Sequence, residues 1–143
     1  MTETPPTADD VVAAQRKIAP HVRRTPLLRV TVDGRELVLK LEQLQRTGSF
    51  KLRGAVNAIM SEPTPPRQVV TASGGNHGLA VATAARLLGV PATVYVPESV
   101  PEAKAAWIAK TGASLVRQGK TYADAAAVAQ RASAGDGVRY VHA

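Results

Sequence analysis

The chain has 143 residues, long enough for one ordinary domain with its own core. Hydrophobic residues make up 45%, which excludes a disordered chain, and the absence of Cys excludes disulfides, thiolate metal sites and cysteine nucleophiles. A formal charge of +7 raises nucleic acid as a partner, but the basic residues are scattered and aromatics are only 3%, too few for a stacking platform.

With one Trp and one Phe, the core must be built from Ala, Val, Leu and Ile. No apolar run approaches the ~18–20 residues that a bilayer crossing needs. The opening MTETPPTADD is acidic and polar, unlike a secretory signal, so a cytoplasmic protein is expected.

Residues 1–7 read as a loose tail. Thr7 with Asp10 marks a helix start, and Val11, Ala14 and Ile18 recur at helical spacing until Pro20 stops it. Residues 25–30 read as extended, Asp33-Gly34 as a turn, and 36–42 as an alternating strand. Ser49 reads as the cap of a helix running to about Met60, with Leu52, Ala55, Val56 and Ile59 on its buried face. The Pro-rich segment 62–66 breaks the pattern and divides the chain into 1–66 and 67–143.

Beyond it the pattern is regular. Strands are predicted over 68–72, 92–96, 114–117 and 138–141, and helices over 78–88, 101–110 and 122–134. Ser99 with Glu102, and Thr121 with Asp124, fit N-terminal capping pairs, while Gly89, Gly112 and Gly135 fit C-terminal stops. Trp107, at helical spacing from Ala103, reads as core. Strands alternating with helices predict βαβ units, an α/β fold with a parallel twisted sheet flanked by helices.

In such folds the loops after the strands carry the chemistry. The first of them is Ser73-Gly74-Gly75-Asn76-His77-Gly78. Its glycines allow close backbone approach and positive φ, and the helix that follows offers free N–H groups to a carboxylate or phosphate. Ser73, Asn76 and His77 add side-chain hydrogen bonds. The plain alternative is a tight turn with Asn76 as the helix cap. A further alternative is a dinucleotide loop, since Ser73-x-Gly75-x-x-Gly78 misses that fingerprint only at its first glycine.

The second candidate is Lys51, directly after Gly48-Ser49-Phe50. A lysine in the first turn of a helix faces the positive end of the dipole, and Phe50 can shield it from water. Both effects favour a free, nucleophilic amine of the kind a Schiff-base enzyme uses. The plain alternative is an ordinary solvated lysine. His21 and His142 have no patterned neighbours, and three isolated His without Cys give no metal site.

Taken together, Thr25-Pro26-Leu27, Lys40-Leu41-Glu42 with Gln45, Gly48-Ser49-Phe50-Lys51 with Arg53-Gly54-Ala55, Ser73 to Gly78, Lys104 and Gly112-Ala113 stand in one order and spacing. In that order they resemble the fold-type II pyridoxal phosphate enzymes, in particular the threonine/serine dehydratase (ammonia-lyase) and serine racemase family. The resemblance covers the chain from about Arg24 to its end. It implies that Lys51 binds pyridoxal phosphate as a Schiff base and moves the substrate α-proton, that Phe50 packs beside the ring, and that Asn76 hydrogen-bonds the cofactor's 3′-oxygen. It implies that Ser73, Gly74, Gly75, Asn76 and His77 hold the substrate carboxylate. The implied reaction takes L-threonine, L-serine or a related 3-hydroxy amino acid to a 2-keto acid and ammonia.

Two departures qualify this. Gly74 stands where the family's dehydratases usually have Ser or Ala and its racemases use Ser as a proton carrier, which implies elimination with little racemisation. The family's chains also continue well past this length, with the loop that grips the cofactor phosphate. The resemblance therefore implies the small domain plus the opening part of the large domain, active as a homodimer or with a complementing C-terminal half. The alternatives are an inactive binding module and a serine racemase-type isomerase.

Overall fold

The computed structural model describes residues 5–142, so residues 1–4 of the expected tail, and Ala143, lie outside the described residues. Helix α1 (Ala8–Ile18) opens with the expected reciprocal cap: the Asp10 N–H donates to Thr7 Oγ1 at 3.2 Å, and the Thr7 N–H donates to the Asp10 carboxylate at 2.8 Å. An antiparallel hairpin follows, β1 (Leu27–Val32) and β2 (Arg35–Lys40), with Val32 opposite Arg35. Asp33 and Gly34 between them have φ of 49° and 73°, the two left-handed residues whose twist matches that of paired strands.

Helix α2 (Lys51–Ile59) buries Leu52, Ala55, Val56 and Ile59, the stripe its spacing predicts. Its start differs from expectation. Phe50, not Ser49, stands at the cap position, in helical conformation and with no side-chain cap. The chain turns through a left-handed Gly48 (φ 70°), and the Ser49 hydroxyl is buried without a hydrogen-bond partner.

The remainder alternates strictly: β3 (Gln68–Ala72), α3 (Asn76–Leu87), β4 (Ala92–Val96), α4 (Glu102–Ala109), β5 (Ser114–Arg117), α5 (Tyr122–Ala132) and β6 (Val138–Tyr140). The four strands form one parallel sheet in the order β5-β4-β3-β6. The chain walks outward from β3 to β5, then returns to the other side of β3. Right-handed crossovers make that reversal place the return helix on the opposite face, and in such folds ligands bind past the strand ends at the reversal.

Three terminal details depart from the sequence reading. Ser99 does not cap α4; Pro101 occupies that position, and Arg117 instead ties the region by donating to the Val100 carbonyl at 2.8 Å and pairing with Glu102 at 2.6 Å. Gly89 and Gly112 are left-handed stops as expected, whereas after α5 the left-handed residue is Gly137, not Gly135. Trp107 is 65% exposed, because α4 buries the stripe through Ala105 and Ile108 and turns Trp107 to the opposite side. Thr121 and Asp124 do form the expected capping box.

The main core gathers Ile18 of α1, the α2 stripe, Val69 of β3, Ala80, Val81, Ala84 and Ala85 of α3, and Val141. The parts on either side of residues 62–66 thus share one core. A smaller cluster of Ala82, Val94, Val96 and Ile108 sits under α4.

A polar clamp fixes α2 from outside the core. Arg53 grips Glu42 with two bonds of 2.8 and 2.9 Å and also donates to the Arg23 carbonyl. Thr25 donates to Glu42 at 2.6 Å, and Lys40 donates to the Thr25 carbonyl. Gln45 accepts from the Arg23 N–H and donates to its carbonyl, both at 2.9 Å. At the other end of α2, Arg139 of β6 donates to the Ala58 and Ile59 carbonyls at 3.2 and 2.8 Å. That satisfies carbonyls which a helix C-terminus leaves without partners.

Leu52→Ala removes a fully buried side chain and should cost about 2–5 kcal/mol in denaturant unfolding. The Arg53 hydrogen bonds hold the Glu42 carboxyl below the usual carboxylate range, so its stabilisation is complete above the ordinary Glu value near 4.5 and is lost as pH falls through the lowered one. Glu42→Gln should therefore cost about 1–2 kcal/mol at pH 7 and progressively less as pH falls below 4.5, measured as denaturation midpoints.

Candidate active site

Lys51 is the first residue of α2, and the glycine loop connects β3 to α3. Because α2 and α3 pack together through Leu52, Val56, Ala80, Val81 and Ala84, the two motifs share one end of the molecule. Their proximity is also electrostatic: the positive charge of Lys51 acts on the His77 ring and disfavours its protonation. Lys51 is half-buried, with its Nζ 5.6 Å from the centroid of the Phe50 ring. Phe50 is 60% exposed, so it lies beside the amine rather than shielding it from water.

The loop is an open cup. Gly75 is the residue before α3 and has extended backbone, φ −124°. No side chain caps the helix, and its first bond runs from the Leu79 N–H to the Gly75 carbonyl at 3.1 Å. The N–H groups of Asn76, His77 and Gly78 therefore stand free of the helical ladder, which suits an anion. Asn76 is the first helical residue, not the cap, and its side chain is exposed. The Ser73 hydroxyl accepts from the Gly75 N–H at 3.2 Å and braces the turn, while the Ser73 N–H is held by the Tyr95 carbonyl at 3.1 Å.

The loop glycines serve differently from expectation. Gly74, Gly75 and Gly78 are not in left-handed conformations. What two of them supply is the missing Cβ. At Gly78 a Cβ would stand 2.0 Å from the Ser73 carbonyl oxygen, so the first turn of α3 folds back onto the loop only with glycine there. At Gly74 it would meet Val100 Cγ2 at 2.5 Å. Val100 is a wall of the loop that sequence reasoning missed, because it lies 26 positions away with no motif of its own.

His77 also departs from expectation. Its ring points inward and is 8% exposed. Nε2 lies 3.0 Å from Thr71 Oγ1 and 3.1 Å from the Val141 carbonyl oxygen. What His77 offers a ligand in the cup is its backbone N–H, not its imidazole. Burial is the main cause that lowers the ring's pKa below the ordinary value; the hydrogen bond to the Val141 carbonyl opposes it, and Lys51 and His142 add repulsion.

A primary amine, a row of free N–H groups and an exposed amide fit an anionic carbonyl cofactor and a carboxylate substrate. The buried hydroxyls of Thr47 and Ser49, just before Lys51, have no protein partner, which leaves hydrogen-bonding capacity there.

A family model described as pyridoxal-phosphate dependent enzyme matches residues 18–143. An L-threonine ammonia-lyase of Thermotoga maritima is 40% identical over 142 residues, which span 95% of this chain and 35% of that protein. The solved structure of a T.th. threonine deaminase superposes with a TM-score of 0.83 at 41% identity, over 96% of this chain and 45% of that one. Maize serine racemase gives 0.84 at 33% identity, over 94% and 43%. The chain thus spans less than half the length of each of these relatives. By fold and by these likenesses, the chain belongs to the pyridoxal-phosphate dependent enzyme family.

Proposed function

We propose that this chain supplies the lysine and the carboxylate cup of an ammonia-lyase acting on L-threonine, L-serine or a related 3-hydroxy amino acid. The observation that carries the reading is the meeting of Lys51 with the uncapped Ser73–Gly78 loop at one end of the α2–α3 pair. The 40% identity to an L-threonine ammonia-lyase supports it. Pyridoxal phosphate, when bound, supplies an electron sink for the substrate α-carbon. Lys51 would hold the cofactor through its amine and, once the substrate amine has displaced it there and freed Nζ, would take the α-proton. Phe50, beside the Lys51 amine, would flank the cofactor ring, and the exposed Asn76 amide would donate to the cofactor's oxygen. The free N–H groups of Asn76, His77 and Gly78, with Ser73 bracing the turn before them, would orient the substrate carboxylate. Loss of the β-hydroxyl as water and hydrolysis of the resulting enamine give the 2-keto acid and ammonia. Because the chain spans 35% of that relative, the proposal is for this site working with the matching remainder of the protein, as one chain or as a complex.

A racemase reading is disfavoured on a specific observation. Gly74 has no side chain to carry a proton, and Val100 fills the space where one would point. The active protein should deaminate L-threonine or L-serine while α-proton exchange and D-serine formation stay at least tenfold slower. Lys51→Ala should abolish deamination. Gly74→Ser alone should lower activity, because Val100 is a stiff β-branched wall, and Gly74→Ser with Val100→Ala should recover part of it. Coupled assay of the keto acid and chiral analysis of serine check both; racemisation as fast as elimination would contradict the reading.

A further inference from the structure

The loop must hold its N–H groups at a fixed direction if they are to bind an anion, yet it contains three glycines and no cap. Something outside the loop has to fix it. The two strand ends that border it are β3 and β6, and one side chain from the first turn of α3 reaches both: His77.

The hydrogen atoms at this junction can be assigned by counting. The Val141 carbonyl only accepts. The single Thr71 hydroxyl proton goes to that carbonyl, at 2.7 Å. The imidazole Nε2 faces the same carbonyl at 3.1 Å and the Thr71 oxygen at 3.0 Å, and both positions need a proton on Nε2. Val141 is in turn tied to the sheet, its N–H donating to the Val70 carbonyl at 2.9 Å. Thr71 is fully buried and Val141 is 3% exposed, so none of these bonds has water to compete with it.

We infer that His77 is a positioning residue, its imidazole an Nε2–H donor that locks the first turn of α3 to the ends of β3 and β6 and thereby aims the N–H groups of Asn76, His77 and Gly78 at an anionic ligand. This deepens the reading of the loop as a carboxylate cup and rests on it. The ring itself does not touch the ligand. Thr71 becomes part of the device although it lies on a strand interior and carries no motif.

The test has two arms. Long-range proton–nitrogen spectra of the 15N-labelled protein at neutral pH should show His77 as the Nε2–H tautomer with a slowly exchanging ring proton. An Nδ1–H form, or averaging of both tautomers, overturns the inference. In the second arm, His77→Leu and Thr71→Val remove the donor and an acceptor, while His77→Gln keeps an N–H of similar reach. Amide exchange at residues 76–78 should quicken about tenfold in the first two and recover in the third. Acetate, a carboxylate probe followed by the shifts of the residue 76–78 amides, should bind about tenfold more weakly in Thr71→Val as in His77→Leu. Equal affinity for Thr71→Val and wild type, with both His77 variants impaired, would instead make the ring a ligand contact and overturn the inference. If acetate does not bind at the loop, the cup reading fails, while the tautomer and the amide exchange still decide the lock. Should His77→Leu not fold, the wild-type spectrum and Thr71→Val decide it.

Discussion

The packing of α2 on α3 is the constraint on which the rest depends. One helix belongs to the segment before the Pro-rich break and the other to the parallel sheet, so nothing covalent sets their distance. Side-chain size does. The α3 face is Ala80, Val81, Ala84 and Ala85, and the α2 face is Leu52, Ala55, Val56 and Ile59. Small residues on one side let the backbones approach closely, and well-filled interiors resist any change in that spacing. A chain with one Trp and one Phe makes its core this way. The consequence is electrostatic: the amine at the head of α2 stands close enough to the first turn of α3 for its charge to act on His77.

Around this pair the structure adds restraints of a different kind. Arg53 and Glu42 tie the start of α2 to the hairpin, and Arg139 ties its end to β6. Thr71, His77 and Val141 join α3 to the ends of β3 and β6. Each is a short polar bridge between elements distant in sequence. Such bridges contribute modestly to stability but fix direction, which a site for an anionic ligand requires.

Regular elements were legible because their signals are local. The α2 stripe, the spans of β3, β4 and β5 and the capping boxes at Thr7 and Thr121 rest on periodicity and on residues three apart. Lys51 and the glycine loop were legible as unusual residues at helix starts, and their joint order carried the family resemblance. The misses are non-local. Ser49 and Ser99 have the composition of caps, but the chain path turns one inward and lets Pro101 take the place of the other. Trp107 is hydrophobic, yet α4 has one buried stripe and it lies off it. Gly74 and Gly78 read as conformational residues, whereas the space they leave is taken by Val100 and the Ser73 carbonyl. His77 sits within a polar loop, and only Val141, distant in sequence, reveals why its ring turns inward.

The central claim is that Lys51 and the Ser73–Gly78 loop form one cofactor site. Its most direct test is to add pyridoxal phosphate to the purified protein, reduce with borohydride, digest and locate the modified peptide by mass. The account predicts a selective adduct on Lys51 that free phosphate or an amino acid carboxylate diminishes and that Gly78→Ala suppresses. Labelling spread over the lysines in proportion to their exposure, unchanged by Gly78→Ala, would contradict it.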